Sequence, residues 1–197
     1  MNVKYKLFLQ FVFVYSRVSF LFLIFYLGSN YLNTNRTNYY HLYFPFEQKI
    51  PFYEWAIYPY VSVFLFFAIP VFYLDFFEIK KLERSFIFSI IISCLFFLIF
   101  PTKLGFLYTP DHSINFIYSY LKQVDHPHNL VPSLHVCFTS TIFVFLYKKE
   151  TRIPLIIFFV FWTTLIYSSV IFTHQHHFLD ILGGMILSFI SIKIFLQ

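Results

Sequence analysis

Two short stretches hold the residues best able to do chemistry: "HNLVPSLHV" (His128–Val136) and "THQHHFLDILGG" (Thr173–Gly184). In the second, His176 and Asp180 stand at i, i+4, so on a helix they share a face. A carboxylate bonded to one imidazole nitrogen fixes the tautomer and leaves the other nitrogen free to act as nucleophile or base. Asp180 also opens an apolar run, where an acid is costly unless paired. Gly183 and Gly184 would let another helix approach closely. The plainer reading is a helix-start aspartate beside an incidental histidine.

In the first stretch, Pro132–Ser133 precedes an apolar run and reads as a helix N-terminus with Ser133 as N-cap. Backbone N–H groups in such a first turn, around Leu134, suit a phosphate oxygen. His135 would sit in the same turn. An ordinary cap followed by an interfacial histidine is the competing reading. A third piece is "FPTKLGF" (Phe100–Phe106), whose Lys103 could offer fixed charge to a phosphate or simply snorkel at a helix end.

Composition says what kind of element must carry these residues. The 197-residue chain is 59% hydrophobic and 25% aromatic, and only 12% of it is charged, whereas a soluble domain shows about a quarter charged residues. Its solvent must therefore be lipid. A spanning helix needs about 20 apolar residues, and six candidates stand at 10–28, 55–75, 85–101, 134–147 with its flanks, 154–172 and 178–196. The first is interrupted by Arg17 and lacks a small-residue cleavage site, so it reads as an uncleaved span. Cys94 and Cys137 lie inside apolar runs and imply no disulfide framework. No repeat or composition break divides the chain. The expectation is an all-α, six-helix transmembrane bundle, a single domain over 1–197.

Lys4 and Lys6 precede the first span, Lys80, Lys81 and Arg84 follow the second, and Lys148, Lys149 and Arg152 follow the fourth. Lys193 lies near the end, and the alternate connections hold only Arg36, Lys49, Lys103 and Lys122. Positive residues favour the cytoplasm, so both termini should lie there. The net charge of +5 thus marks topology rather than a nucleic-acid footprint. All eight histidines, His41, His112, His126, His128, His135, His174, His176 and His177, then fall on the extracytoplasmic side. The connection at 29–54 ends in "FPFEQKIPFYEW", an aromatic, Pro-punctuated interfacial segment.

The ends of spans 3, 4 and 6 would converge on that face. Two histidines, an orienting carboxylate, a cation and a helix N-terminus are what phosphoryl transfer through a phosphohistidine needs. Here the residues resemble the type-2 phosphatidic acid phosphatase superfamily of membrane phosphatases and phosphotransferases. "PSLH" (Pro132–His135) matches its Pro-Ser-x-His element, and His176 and Asp180 match its closing His-x-x-x-Asp. "PTK" stands where the family places its first basic motif. The surrounding "VDHPHNLVPSLHV" is similar to the branch that includes inositol phosphorylceramide and sphingomyelin synthases.

The resemblance implies that His176 attacks phosphorus, Asp180 orients it, and His135 protonates the leaving oxygen and later activates the acceptor. It implies that Lys103, Ser133 and the backbone at Leu134 hold the phosphate oxygens, that no metal or other cofactor is needed, and that the partners are a lipid phosphate and the surrounding membrane lipids. Ser169 and Val170 occupy positions where many members carry Ser-Arg, and the usual Arg-Pro of the first motif is missing. His174 or Lys122 would then meet part of the transition-state charge. The main reading is a lipid phosphatase on the extracytoplasmic face; a phospho-headgroup transferase using a lipid hydroxyl is the alternative. A metal-binding or transport protein using His174, His176, His177 and Asp180 is a rival of another class, weakened because no other span carries the mid-membrane polar pair of an ion path. A non-catalytic membrane scaffold is the third possibility.

Overall fold

The computed structural model describes residues 3–107, 115–125 and 127–196, so His112 and His126 lie outside the described residues. The chain opens with α1 (Val3–Phe22), a π turn (Leu23–Leu27) and α2 (Gly28–Thr34). Short helices α3 (Ile57–Val61) and α4 (Val63–Ala68) follow, flanked by 3-10 turns, then α5 (Phe76–Ile99) and α6 (Phe116–Val124). Three more complete the order: α7 (Leu134–Tyr147), α8 (Ile153–Phe172) and α9 (Phe178–Phe195). Among the described residues there is no strand, only one isolated bridge between Tyr40 and Thr102.

Among the described residues, five helical stretches are long and apolar enough to cross a bilayer: Lys4–Thr34, Glu54–Phe72, Phe76–Ile99, Ile153–Phe172 and Phe178–Phe195. The remaining candidate, α7, has 14 residues, about 21 Å of helix against a hydrocarbon core of ~30 Å. Packing explains its composition. It contacts α5, α8 and α9, and buries residues all round, Leu134, Cys137, Thr141, Ile142 and Phe145 among them. A helix apolar on every side belongs in a core. The outer helices differ: α8 exposes Ile157, Val160 and Phe161, and α9 exposes Leu182, Ile186 and Phe189. Such stripes, repeated around the molecule, need an apolar solvent.

Three details depart from the sequence expectation. Helix α5 begins at Phe76 rather than near 85, because Asp75 accepts hydrogen bonds from the N–H groups of Phe77 and Glu78 at 2.9 Å each. The Glu78 carboxylate in turn accepts the Asp75 N–H at 3.0 Å, a capping box that extends the helix through its charged first turns. The second span is broken at Ser62, whose hydroxyl donates to the Pro59 carbonyl at 2.7 Å and accepts the Trp162 indole N–H at 2.8 Å. Arg17 does not interrupt the first span, since it pairs with buried Glu83 of α5. That pair is a polar contact within the spans that the sequence reading did not foresee. Each charge offsets the cost of the other in an apolar setting.

Candidate active site

The N-termini of α7 and α9 meet. Ser133 is the α7 N-cap, its Oγ accepting the Val136 N–H at 3.5 Å; Leu134 and His135 are the first helical residues. The Ser133 N–H donates to the backbone carbonyl of Asp180 at 3.0 Å. Glycine makes this approach possible: a Cβ on Gly184 would lie 2.5 Å from the Ser133 carbonyl oxygen and 3.0 Å from Val136 Cβ. The two motifs are thus bonded to each other through backbone.

His176 Nδ1 lies 3.2 Å from Asp180 Oδ2, which also accepts the His177 N–H at 2.8 Å. A carboxylate accepts only, so the imidazole donates from Nδ1 and keeps its lone pair on Nε2. Both side chains are nearly buried. The His176 and Gln175 N–H groups donate to the Val170 carbonyl at 2.9 and 3.0 Å, turning the chain back from α8. Val170 itself is buried beside Ile57, Tyr60 and Val136. No cation enters the site from that position.

The candidate residues divide between two cavities. A polar one of about 220 Å³ is lined by Lys103, Tyr118, Lys122, Asp125, His174 and His176. An apolar one of about 430 Å³ is lined by Phe22 of α1, Phe67 of α4, Phe86 of α5 and Phe138 of α7, with His135 on its wall. His135 also stacks on Tyr60, ring centroids 4.3 Å apart. Lys103, His174 and His176 thus line the polar cavity together, and His135 lines the apolar one.

A family model described as the PAP2 superfamily matches residues 50–194. The chain belongs to the PAP2 superfamily. Its members are phosphatases or related phosphotransferases. No curated protein and no solved structure matches the chain. The match takes in Lys103, Ser133, His135, His176 and Asp180 and leaves out α1 and α2.

In this PAP2 protein the loop preceding the matched region holds the site together. The Lys103 N–H donates to the Tyr40 carbonyl at 3.1 Å, and the lysine ammonium lies 5.9 Å from the Tyr39 ring centroid. His174 has a left-handed backbone (φ 54°), a region histidine tolerates better than most residues. Its Nε2–H donates to the Ile50 carbonyl at 2.9 Å and its ring stacks on Phe106 at 3.9 Å. His174 is thereby held as a rigid wall of the polar cavity.

His177 is used differently. Its Nε2 accepts the Gly105 N–H at 3.0 Å, and its Nδ1–H donates to Glu47 at 3.1 Å. Glu47, fully buried, also accepts the N–H groups of Phe178 and Phe44 at 2.8 Å each. Burial pushes the His177 pKa below its ordinary 6.5, and the neighbouring Asp180 and Glu47 carboxylates pull it back only in part. A neutral imidazole accepting on one nitrogen and donating on the other fits both contacts.

The sequence reading missed Glu47, Tyr60 and Asp125. Asp125 accepts from the Tyr26 hydroxyl at 2.8 and 3.0 Å and from the Asn30 amide at 3.4 Å. Both carboxylates lie in stretches that drew attention for other reasons, but their partners come from remote parts of the chain. For the metal-binding rival, the described residues offer no group of three or more His, Cys, Asp or Glu side chains that could hold one ion. His174, His176 and His177 turn instead to Ile50, Asp180 and Glu47.

Proposed function

We propose that this PAP2 protein is a six-span integral membrane enzyme, both termini cytoplasmic, that cleaves lipid phosphates at the extracytoplasmic face through a phosphohistidine. The observation that carries this is the His176–Asp180 hydrogen bond beside a cavity lined by Lys103. Sidedness is supported by Lys80, Lys81, Arg84, Lys148, Lys149 and Arg152, all at the opposite ends of the helices from Lys103, His135 and His176. Helix α7, sheathed by its neighbours, is the sixth span.

His176 Nε2 attacks phosphorus while the bond to the lipid oxygen breaks, and that oxygen takes a proton from His135. In the second half-reaction His135 accepts the proton of the incoming hydroxyl, whose oxygen displaces Nε2 and restores the free imidazole. Such acid–base assistance is worth about 10²–10⁴-fold. Lys103, Ser133, His174 and the N–H at Leu134 hold the phosphate oxygens. With Val170 buried among apolar residues, Lys122 and His174 supply the polar contacts on that side. The chemistry needs no metal.

A second reading, transfer of the phospho-headgroup to a lipid hydroxyl as in the sphingolipid-synthase branch, is favoured by one observation. His135 lies on the wall of the apolar cavity, so an acceptor that it activates can arrive from the bilayer. Purified protein given short-chain phosphatidic acid, with and without chelator, tests the shared chemistry. Release of phosphate or its transfer to an added lipid alcohol should survive chelator and vanish in His176→Ala. Chelator-sensitive turnover, or none across a panel of lipid phosphates, would count against it.

A further inference from the structure

The first motif offers its cation, Lys103, without the usual Arg-Pro. The lysine is exposed and lines the polar cavity. Its ammonium is a point charge on a flexible stem, so ordering it around a phosphate costs rotamer freedom unless something holds it first. Residues 39–48 hold it at several points. The Tyr40 N–H donates to the Pro101 carbonyl at 2.8 Å, and the Leu107 N–H donates to the Gln48 carbonyl at 3.1 Å. With the bond from the Lys103 N–H to Tyr40, these pin the lysine's loop at both ends. Between them Tyr43 lies against Gly105, where a Cβ would come within 2.1 Å of its ring. Glu47 reaches the same glycine through His177, whose other nitrogen accepts the Gly105 N–H.

The head of the lysine is held separately, over the ring of Tyr39. That ring is itself fixed: its hydroxyl donates to the Asn33 carbonyl at 2.7 Å, and it stacks on His128 with centroids 4.8 Å apart. An aromatic face attracts a cation but carries no net charge, so the ammonium stays available to an anion. A carboxylate in the same place would have cancelled it. Resting on the function proposed above, we infer that residues 39–48 form a strap that positions Lys103 for the substrate phosphate. Tyr39 holds the ammonium and Glu47 holds the loop beneath it. Both are positioning residues, acting through Lys103 rather than on the substrate. The whole strap precedes the residues matched to the superfamily, which begin at 50. This chain therefore supplies, from outside the matched region, the order that a lone lysine lacks.

The test uses the full chain in detergent with short-chain phosphatidic acid, reading kcat and KM separately. Lys103→Met should raise KM about ten- to a hundredfold, the range of a hydrogen bond to a charged group. Tyr39→Leu should raise KM about two- to fivefold, the range of an exposed cation–π contact, with kcat held, as loss of uniform binding does. Tyr39→Phe keeps the ring and should raise KM less, and Glu47→Gln should raise it through the loop. The decisive comparison is made in the Lys103→Met background. There Tyr39→Leu and Glu47→Gln should raise KM no further, because the group they position is gone; a merely structural loosening would add its effect in full. A KM unmoved by Tyr39→Leu, raised equally by Tyr39→Phe, or raised again in the Lys103→Met background overturns the inference. Should no lipid be turned over, the function fails, and calorimetric binding of inorganic phosphate to the same variants decides the strap. The same pattern in Kd sustains it, whereas no binding, or binding indifferent to Lys103→Met, overturns it.

Discussion

His176 and His177 are adjacent in sequence, both nearly buried, and both bonded through Nδ1 to a carboxylate. They serve opposite ends. His176 takes its carboxylate from Asp180, one helical turn away, and lines the polar cavity with no hydrogen bond to Nε2 among the described residues. His177 takes its carboxylate from Glu47, in the connection ahead of the second span, and spends Nε2 on the Gly105 backbone. One pair is local and faces a cavity, whereas the other is long-range and closes a loop over the α9 N-terminus. An imidazole–carboxylate pair is therefore not by itself a sign of chemistry; what its second nitrogen meets decides.

The sharpest way to break this contrast is to exchange the fates of the two rings. His176→Ala should lower turnover by about 10⁵–10⁶-fold, as loss of a nucleophile does, with little change in thermal midpoint. His177→Ala should do the reverse, lowering the midpoint while the folded fraction keeps most of its turnover. Equal losses of activity in both would end the distinction. Asp180→Asn comes next, with about 10³–10⁴-fold lower turnover expected from a misoriented imidazole. The Asn side-chain oxygen can still accept the His177 N–H at the start of α9, so circular dichroism should show the helix content intact.

Smaller effects belong to the clamp. Glu47→Ala leaves the N–H groups of Phe44 and Phe178 and the Nδ1–H of His177 without their acceptor, and should cost about 2–4 kcal/mol, read from chemical unfolding in detergent. The clamp also has a pH signature. A folded-state pKa below 6.5 for His177 means that the unfolded chain binds the proton more readily. Its contribution to stability is fully present above about pH 6.5 and is lost as pH falls below that value. The acid-side slope should be shallower in His177→Gln; a slope unchanged by that substitution would place the titration elsewhere.

The local features were legible in the sequence. Ser133 as N-cap, the shared face of His176 and Asp180, and the close approach allowed at Gly184 each depend on spacing within one turn or on one residue type. The apolar runs marked the spans for the same reason. What stayed hidden were partnerships between remote residues: Arg17 with Glu83, Glu47 with His177, and Asp125 with Tyr26. Periodicity reports which face of a helix is apolar and is silent on which charge from another helix meets it. So Arg17 read as an interruption, and the "FPFEQKIPFYEW" segment read as interfacial although its Glu47 is among the most buried residues in the chain. The start of α5 was misplaced because the charged residues after Asp75 look like a loop until the capping box is seen.

The central claim is a covalent bond between phosphorus and His176. Rapid quench of the purified protein at neutral to alkaline pH during turnover, followed by peptide mass spectrometry, reads it directly. The account predicts an acid-labile adduct on the peptide containing His176, with the mass of a phosphoryl group or of a phospho-headgroup, absent in His176→Ala. Turnover with no adduct at any quench time, together with activity retained in His176→Ala, would contradict it.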